Sequence, residues 1–197
     1  MAKKDGYHHG DLRATLVEAA RRLVEEKGAD RLTMSDACRA AGVSTAAPYR
    51  HFADMEEILL AVVEEGMVRH RRAMQQAAAA HLRGSDAVVA AIGIAYLDFA
   101  LREPGVFRLM FGLTRTHKDQ VDLIAAGKAT FGVLLDQISA RLDLPVDAPE
   151  VLDRGLKLWS LVHGLAFLMI DDKVEVLGLQ PRLAEMLHDV ARRMLTD

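Results

Sequence analysis

The sequence predicts an all-α fold of about nine helices, and three observations carry that expectation. Apolar residues recur at three- and four-residue spacing almost throughout the chain. Stretches alternating β-branched with polar residues, which would mark strands, do not occur. Breakers joined to cap residues punctuate the chain at "RGSD", "REPG", "LPVDAPE" and "LGLQP". With 197 residues and a 51% apolar composition, the chain has ample material for a buried core.

Each element follows in order. Leu12, Leu16, Ala20, Leu23 and Val24 form one stripe from about Asp11 to Lys27, and Gly28 ends that helix. Thr33 caps a short second helix reaching about Ala41. The "AGVS" turn follows, and Ser44 is expected to cap a third helix that ends near Phe52, with Pro48 in its first half. Asp54 and Glu57 have the spacing of a capping box, opening a long helix over 54–82 through Leu59, Val63, Met67 and Met74. Five more helices are expected over 85–102, 104–112, 115–143, 148–171 and 181–195.

Bulk properties narrow the function classes. The net charge is −3, yet residues 1–52 hold 9 Lys/Arg against 7 Asp/Glu, a net +2, so what cationic bias exists lies at the N-terminal end. A single cysteine, Cys38, excludes an intrachain disulfide and a multi-cysteine zinc site, and its helical setting reads as a small buried hydrophobe. The N-terminus lacks an apolar signal segment, and the longest apolar run, Leu158 to Ile170, falls short of the roughly 18 residues a membrane span needs. These features lead to the expectation of a soluble cytoplasmic protein with no membrane partner.

The stretch "VSTAAPYRHF", residues 43–52, concentrates the functional signal. A short helix, a Gly-containing turn and a third helix have the layout of a helix-turn-helix DNA reader. Small residues at Thr45, Ala46 and Ala47 let the third helix approach base edges, while Tyr49, Arg50 and His51 can reach phosphates or bases. Val43 and Phe52 are suited to point inward; a run of Tyr, Arg and His has no reason to be buried.

From His8 to Val63, "HHGDLRATLVEAARRLVEEKGADRLTMSDACRAAGVSTAAPYRHFADMEEILLAVV", the chain resembles the tetracycline-repressor (TetR) family of bacterial transcriptional regulators. That resemblance implies a three-helix DNA-binding domain over 1–53, with the helix at 54–82 as connector and a helical ligand-binding and dimerisation domain over 54–197. It further implies that Thr33 touches the DNA backbone, that Ser44, Thr45 and Ala46 face the major groove, and that Tyr49 and His51 hold phosphates. Ser35 and Met55 stand where relatives often carry an Arg and a Lys that contact the backbone. Either Lys3 and Lys4, on an N-terminal arm, supply replacement charge, or DNA binding is weaker and operator preference looser. In "WSLVHGL", Trp159, His163 and Gly164 look like a Trp-His-Gly pattern of one branch of the family.

The expected partners are a double-stranded DNA operator, a second copy of the chain and a small-molecule effector, with no cofactor and no metal. A dimer follows because one recognition helix covers only a half-site. Its expected interface comprises Trp159, Val162, Gly164, Phe167, Leu183, Met186, Leu187, Val190 and Met194, from the last two long helices. An apolar or aromatic effector is expected among Tyr96, Phe99, Phe107, Met110, Phe111, Phe131, Trp159 and His163, with Arg108 or Asp98 as further polar groups. Gly105 and Gly112 bracket a short helix expected to bend when the effector binds.

An enzyme is disfavoured: no H-E-x-x-H helix, G-x-S-x-G elbow, phosphate loop or dinucleotide fingerprint occurs. His8 and His9 on the arm read as solvated or near phosphate rather than as metal ligands, and His70, His81, His117 and His188 read as isolated surface residues. A helical carrier that binds an apolar ligand without touching DNA remains the alternative, although it has no use for residues 43–52.

Overall fold

Local signals set the N-terminal helices in the computed structural model, which describes residues 12–112 and 121–196. Helix α1 (Leu12–Lys27) turns its Leu16, Val17, Ala20 and Val24 stripe inward. Helix α2 (Met34–Ala41) begins with a full capping box: the Asp36 N–H donates to the Thr33 hydroxyl, and the Thr33 N–H donates to the Asp36 carboxylate, each at 3.2 Å. It ends at Gly42, whose φ of 68° is left-handed; the Gly42 N–H donates to Arg39 O and the Val43 N–H to Cys38 O, the paired bonds of a Schellman turn.

The expected third helix over 44–52 is not formed as such. Residues 45–47 make a turn, and Pro48–Arg50 is a single 3-10 turn. A helix capped at Ser44 would open with a bond from the N–H of residue 48 to the Ser44 carbonyl, and proline has no N–H to give. The Ala47 N–H closes on Ser44 O instead, and Pro48 starts the following turn from its first position.

Next comes α3 (Met55–Ala79), with Asp54 accepting from the Glu57 N–H at 3.0 Å and Glu57 accepting from the Ala53 N–H at 2.6 Å. The remaining helices are α4 (Asp86–Arg102), α5 (Pro104–Gly112), α6 (Val121–Leu142), α7 (Pro149–Ile170), α8 (Lys173–Val176) and α9 (Leu183–Leu195). The described residues therefore hold nine α-helices and no strand, all-α as expected. The agreement in number hides an exchange: 44–52 drops out as a helix, and the four-residue α8, too short for a periodic signal, comes in.

Helix α4 runs through the middle, packed on α3, α7 and α9, while α3 also meets α1, α5 and α6. Fully buried Leu16, Ile58, Phe99 and Phe107 belong to one continuous core. Burying each such side chain is worth about 1.5–3 kcal/mol. An exposed pair such as Arg22–Glu18, 3.8 Å apart, is worth about 0.2–1 kcal/mol, so burial and not surface charge holds the helices together. None of the described helices is long and apolar enough to cross a membrane.

Candidate nucleic-acid interface and apolar cavity

The turn after α2 presents an outward face. Ser44, Thr45, Ala46, Tyr49, Arg50 and His51 are all exposed, as are Thr33 and Ser35 at the start of α2. Tyr49 is 62% exposed, unusual for an aromatic ring with core nearby. Beneath this face, Pro48 and Phe52 are buried, and the Arg13 guanidinium lies 5.4 Å from the centre of the Phe52 ring, tying the turn to α1. Hydroxyl, methyl, phenol, guanidinium and imidazole groups thus stand together on one exposed face, fit for phosphates and base edges. Lys3, Lys4, His8 and His9 lie outside the described residues.

Between α3, α4, α6 and α7 lies a cavity of about 610 Å³, closed on one side by Leu187 and Val190 of α9. Its lining is mostly aliphatic, aromatic and thioether. Of the expected ligand residues, Tyr96, Met110, Phe111, Phe131 and Trp159 line it. Phe99 and Phe107 do not: at 1% and 0% exposure they are spent inside the core. His163 also stands back, its ring packed 4.5 Å from Phe111 and 5.0 Å from Phe167 between centres. Arg108 and Asp98 are exposed, and Arg108 is paired with Asp171, so neither serves the cavity.

His163 instead ends a polar chain. Trp159 Nε1 donates to the Tyr96 hydroxyl at 3.3 Å, and that hydroxyl stands 2.7 Å from His163 Nδ1. The hydroxyl and Nδ1 share one hydrogen bond, whose donor depends on which nitrogen of the neutral His163 ring carries the proton. Burial favours this neutral form, lowering the His163 pKa and raising that of Tyr96.

The chief site residue that the sequence reading misplaced is His70. Expected on the surface, it is 0% exposed in the cavity wall, edge-on to Tyr96 and tilted against Phe99, at 4.6 and 4.7 Å between ring centres. Neither ring nitrogen has a hydrogen-bond partner. Desolvation pushes its pKa down to about 4, leaving the imidazole neutral near pH 7. An unmet buried donor or acceptor costs roughly 1–3 kcal/mol, so this residue is kept at a loss to the empty protein. The missed signal was its spacing: Val63, Met67, His70 and Met74 fall on one face of α3.

Two contacts join the DNA-facing end to the cavity. Helix α3 itself runs from the Asp54 cap, two residues beyond Phe52, to Met67, His70 and Met74 in the cavity wall. In addition, the Glu25 carboxylate of α1 accepts from the Gly105 N–H at 2.8 Å and the Val106 N–H at 2.9 Å, capping α5 from another helix. The far end of α5 supplies Met110 and Phe111 to the cavity. Gly105 is therefore no hinge: a Cβ there would meet Val24 O at 2.6 Å, so its role is close approach of α5 to α1. This contact spans 80 residues and leaves no trace in local sequence.

Of the residues expected at the dimer interface, most are occupied within the chain. Val162 and Leu187 press on α4 at Gly93, Val190 and Trp159 line the cavity, Phe167 stacks on Phe107, and Leu183, Met186 and Met194 pack partly on the core. Gly164 alone of that set is exposed, in line with exposed Leu152, Leu156, Ser160 and Leu168 at four-residue intervals along α7.

Residues 16–62 match the bacterial regulatory proteins of the tetR family, and residues 89–195 match the tetracyclin repressor-like C-terminal domain. Among solved structures, a protein with unknown function from Rhodococcus sp. RHA1 is similar over 98% of this chain and 97% of its own, with a TM-score of 0.82 and 26% identity. A TetR family transcription regulator from Marinobacter aquaeolei VT8 aligns over 92% of this chain and 94% of its own, with a TM-score of 0.69 and 16% identity. The transcriptional regulator FadR from Bacillus subtilis, in complex with stearoyl-CoA, aligns over 93% and 97%, with a TM-score of 0.67 and 13% identity. At such identities the last two speak for the fold alone.

Proposed function

Given that this chain belongs to the tetR family of bacterial regulatory proteins, we propose that it is a repressor that binds a palindromic operator as a homodimer and leaves it when a small apolar or aromatic effector enters the cavity. DNA-binding transcriptional regulation follows from the family; operator symmetry, repression and effector class are the reading added here. The observation that carries it is the course of α3, which starts at the edge of the exposed 44–51 face and ends in the cavity wall. An occupant that shifts α3 must shift the two DNA-facing ends of a dimer relative to each other. A coupling of about 1–3 kcal/mol suffices to change operator affinity several-fold to about a hundredfold.

In this reading residues 1–53 read DNA and residues 54–197 sense and dimerise. Thr33, Ser35, Tyr49, Arg50 and His51 contact the phosphate backbone; Ser44, Thr45 and Ala46 face bases, with Lys3 and Lys4 adding charge from the arm. The dimer forms through the exposed face of α7, flanked by α9. Gly164 supports this: an exposed glycine inside a helix costs about 1 kcal/mol relative to alanine, and none of the described residues lies near enough to require it. A second α7 crossing there, on Leu156 and Leu168, accounts for both the glycine and the exposed leucines. The Trp-His-Gly pattern belongs to the same reading, since Trp159 and His163 brace Tyr96 at the cavity while Gly164 faces the partner.

The test is selection of preferred duplexes from a random DNA pool, with the winner titrated at two salt concentrations. The expected result is a palindrome with half-sites a helical turn or a small multiple apart, bound more weakly at high salt. Absence of enrichment at every salt concentration would overturn the DNA-reading assignment of residues 44–51.

A further inference from the structure

Among the described residues of the cavity wall, His70 is the one with buried polar side-chain atoms that lack a partner. The other polar groups nearby are engaged: the Tyr96 hydroxyl holds Trp159 and His163, and the Thr130 hydroxyl donates to Ala126 O at 2.9 Å. We infer that His70 is the polar recognition point of the cavity, and that the effector is an uncharged, largely aromatic molecule carrying one hydroxyl or carbonyl group that hydrogen-bonds the imidazole. The inference rests on the reading of the cavity as the effector site.

Three observations select this class of ligand. The lining around His70 is aromatic and aliphatic, with Trp159, Phe131 and Phe111 offering ring faces. Among the described residues of the lining the only charged side chain, Lys128, is exposed, so a ligand carboxylate beside His70 would meet no described cation at that depth. A neutral imidazole has one N–H donor and one lone pair, so it fits a hydroxyl in either sense and a carbonyl through the N–H. Its nitrogens have no free surface in the empty cavity. Met67 and Met74, one helical turn away on either side, also line the void, and their flexible thioethers move aside to admit the occupant. Because His70 sits on α3, a hydrogen bond formed there pulls on the helix that leads to the 44–51 face.

The protein supplies its own probe, since Trp159 is the single tryptophan and lines the cavity. Quenching of its fluorescence by butylbenzene, para-butylphenol and para-butylbenzoate, followed at neutral pH, compares hydrocarbon, hydroxyl and carboxylate on one frame. The full-length protein should bind the phenol about tenfold or more tightly than butylbenzene, with the benzoate weakest. His70→Phe keeps the ring stacking on Tyr96 and Phe99 and removes both nitrogens; it should level phenol and hydrocarbon while raising the melting temperature of the empty protein. A merely structural histidine would behave in the opposite way, losing stability with no change in preference. Equal binding of phenol and hydrocarbon by the wild type, a phenol preference surviving His70→Phe, or a benzoate preference would each overturn the assignment while leaving the cavity as effector site. No quenching by any of the three would overturn the cavity reading and this inference together.

Discussion

Substituting Gly105→Ala tests the contact that joins α1 to α5. A Cβ at this position would stand 2.6 Å from Val24 O and 3.0 Å from both Glu25 Cα and Glu25 Oε2. Carbon and carbonyl oxygen approach no closer than about 3.3 Å even in favourable contacts, so α5 and α1 must part by roughly 0.7 Å. Two of the three atoms are backbone, and no side-chain rotation relieves them. Overpacking of this kind costs about 1–3 kcal/mol. The same displacement stretches the Glu25 bonds to Gly105 and Val106 from 2.8 and 2.9 Å towards the limit of hydrogen bonding, adding about 1 kcal/mol for a half-exposed carboxylate. Against this, alanine gains at most about 1 kcal/mol of helix propensity. The net loss is about 2 kcal/mol, which for a chain of this size lowers the melting temperature by roughly 4–8 °C. Thermal unfolding followed by circular dichroism at one fixed protein concentration measures it. Gly132→Ala in α6 is the control: no described residue lies within 4 Å of its Cβ, so propensity alone should raise the melting temperature by a few degrees. If Gly105→Ala melted at or above the wild type, the steric reasoning would be refuted.

Three further predictions address acid stability, assembly and DNA reading. His70 has a folded pKa of about 4 against 6.5 in the unfolded chain; between those values the unfolded state binds more protons, so stability falls as pH drops, by up to about 1.4 kcal/mol per unit. His163, also lowered by burial, adds to the same slope; urea midpoints across this window should show a shallower slope in His70→Phe, and equal slopes would contradict the burial argument. Gly164→Leu adds a bulky side chain to the exposed face of α7 and should shift the proposed dimer to a folded monomer by light scattering; a mass unchanged from the wild type would remove α7 from the interface. Thr45→Ala should change the preferred operator sequence, whereas Tyr49→Phe should weaken every duplex alike by about 1 kcal/mol; uniform weakening from both would take Thr45 out of base readout.

What the sequence by itself determined are features whose physics is local. Thr33 and Asp36, Gly42, and Asp54 with Glu57 act within one turn of backbone, so their caps could be read directly from spacing. The outward set from Ser44 to His51 was legible because burying polar side chains unpaired is costly, and Phe52 because burying it is favourable. Pro48 was also in plain view, but the sequence reading gave its missing N–H little weight and expected a helix where the structure forms a turn and one 3-10 turn. Only the tertiary structure decided the rest. Whether an apolar face on α7 meets its own core or remains exposed depends on the angles at which α4 and α9 cross it, and Val162 and Gly164 look equally suited to either in one dimension. The contact of Glu25 with the start of α5 joins groups 80 residues apart, and no local rule connects them. The cavity is where side chains fail to meet, and His70 acquires its meaning from that shortfall: a histidine at helical spacing between two methionines becomes a candidate site only when six helices enclose a space beside it and leave no partner for its nitrogens.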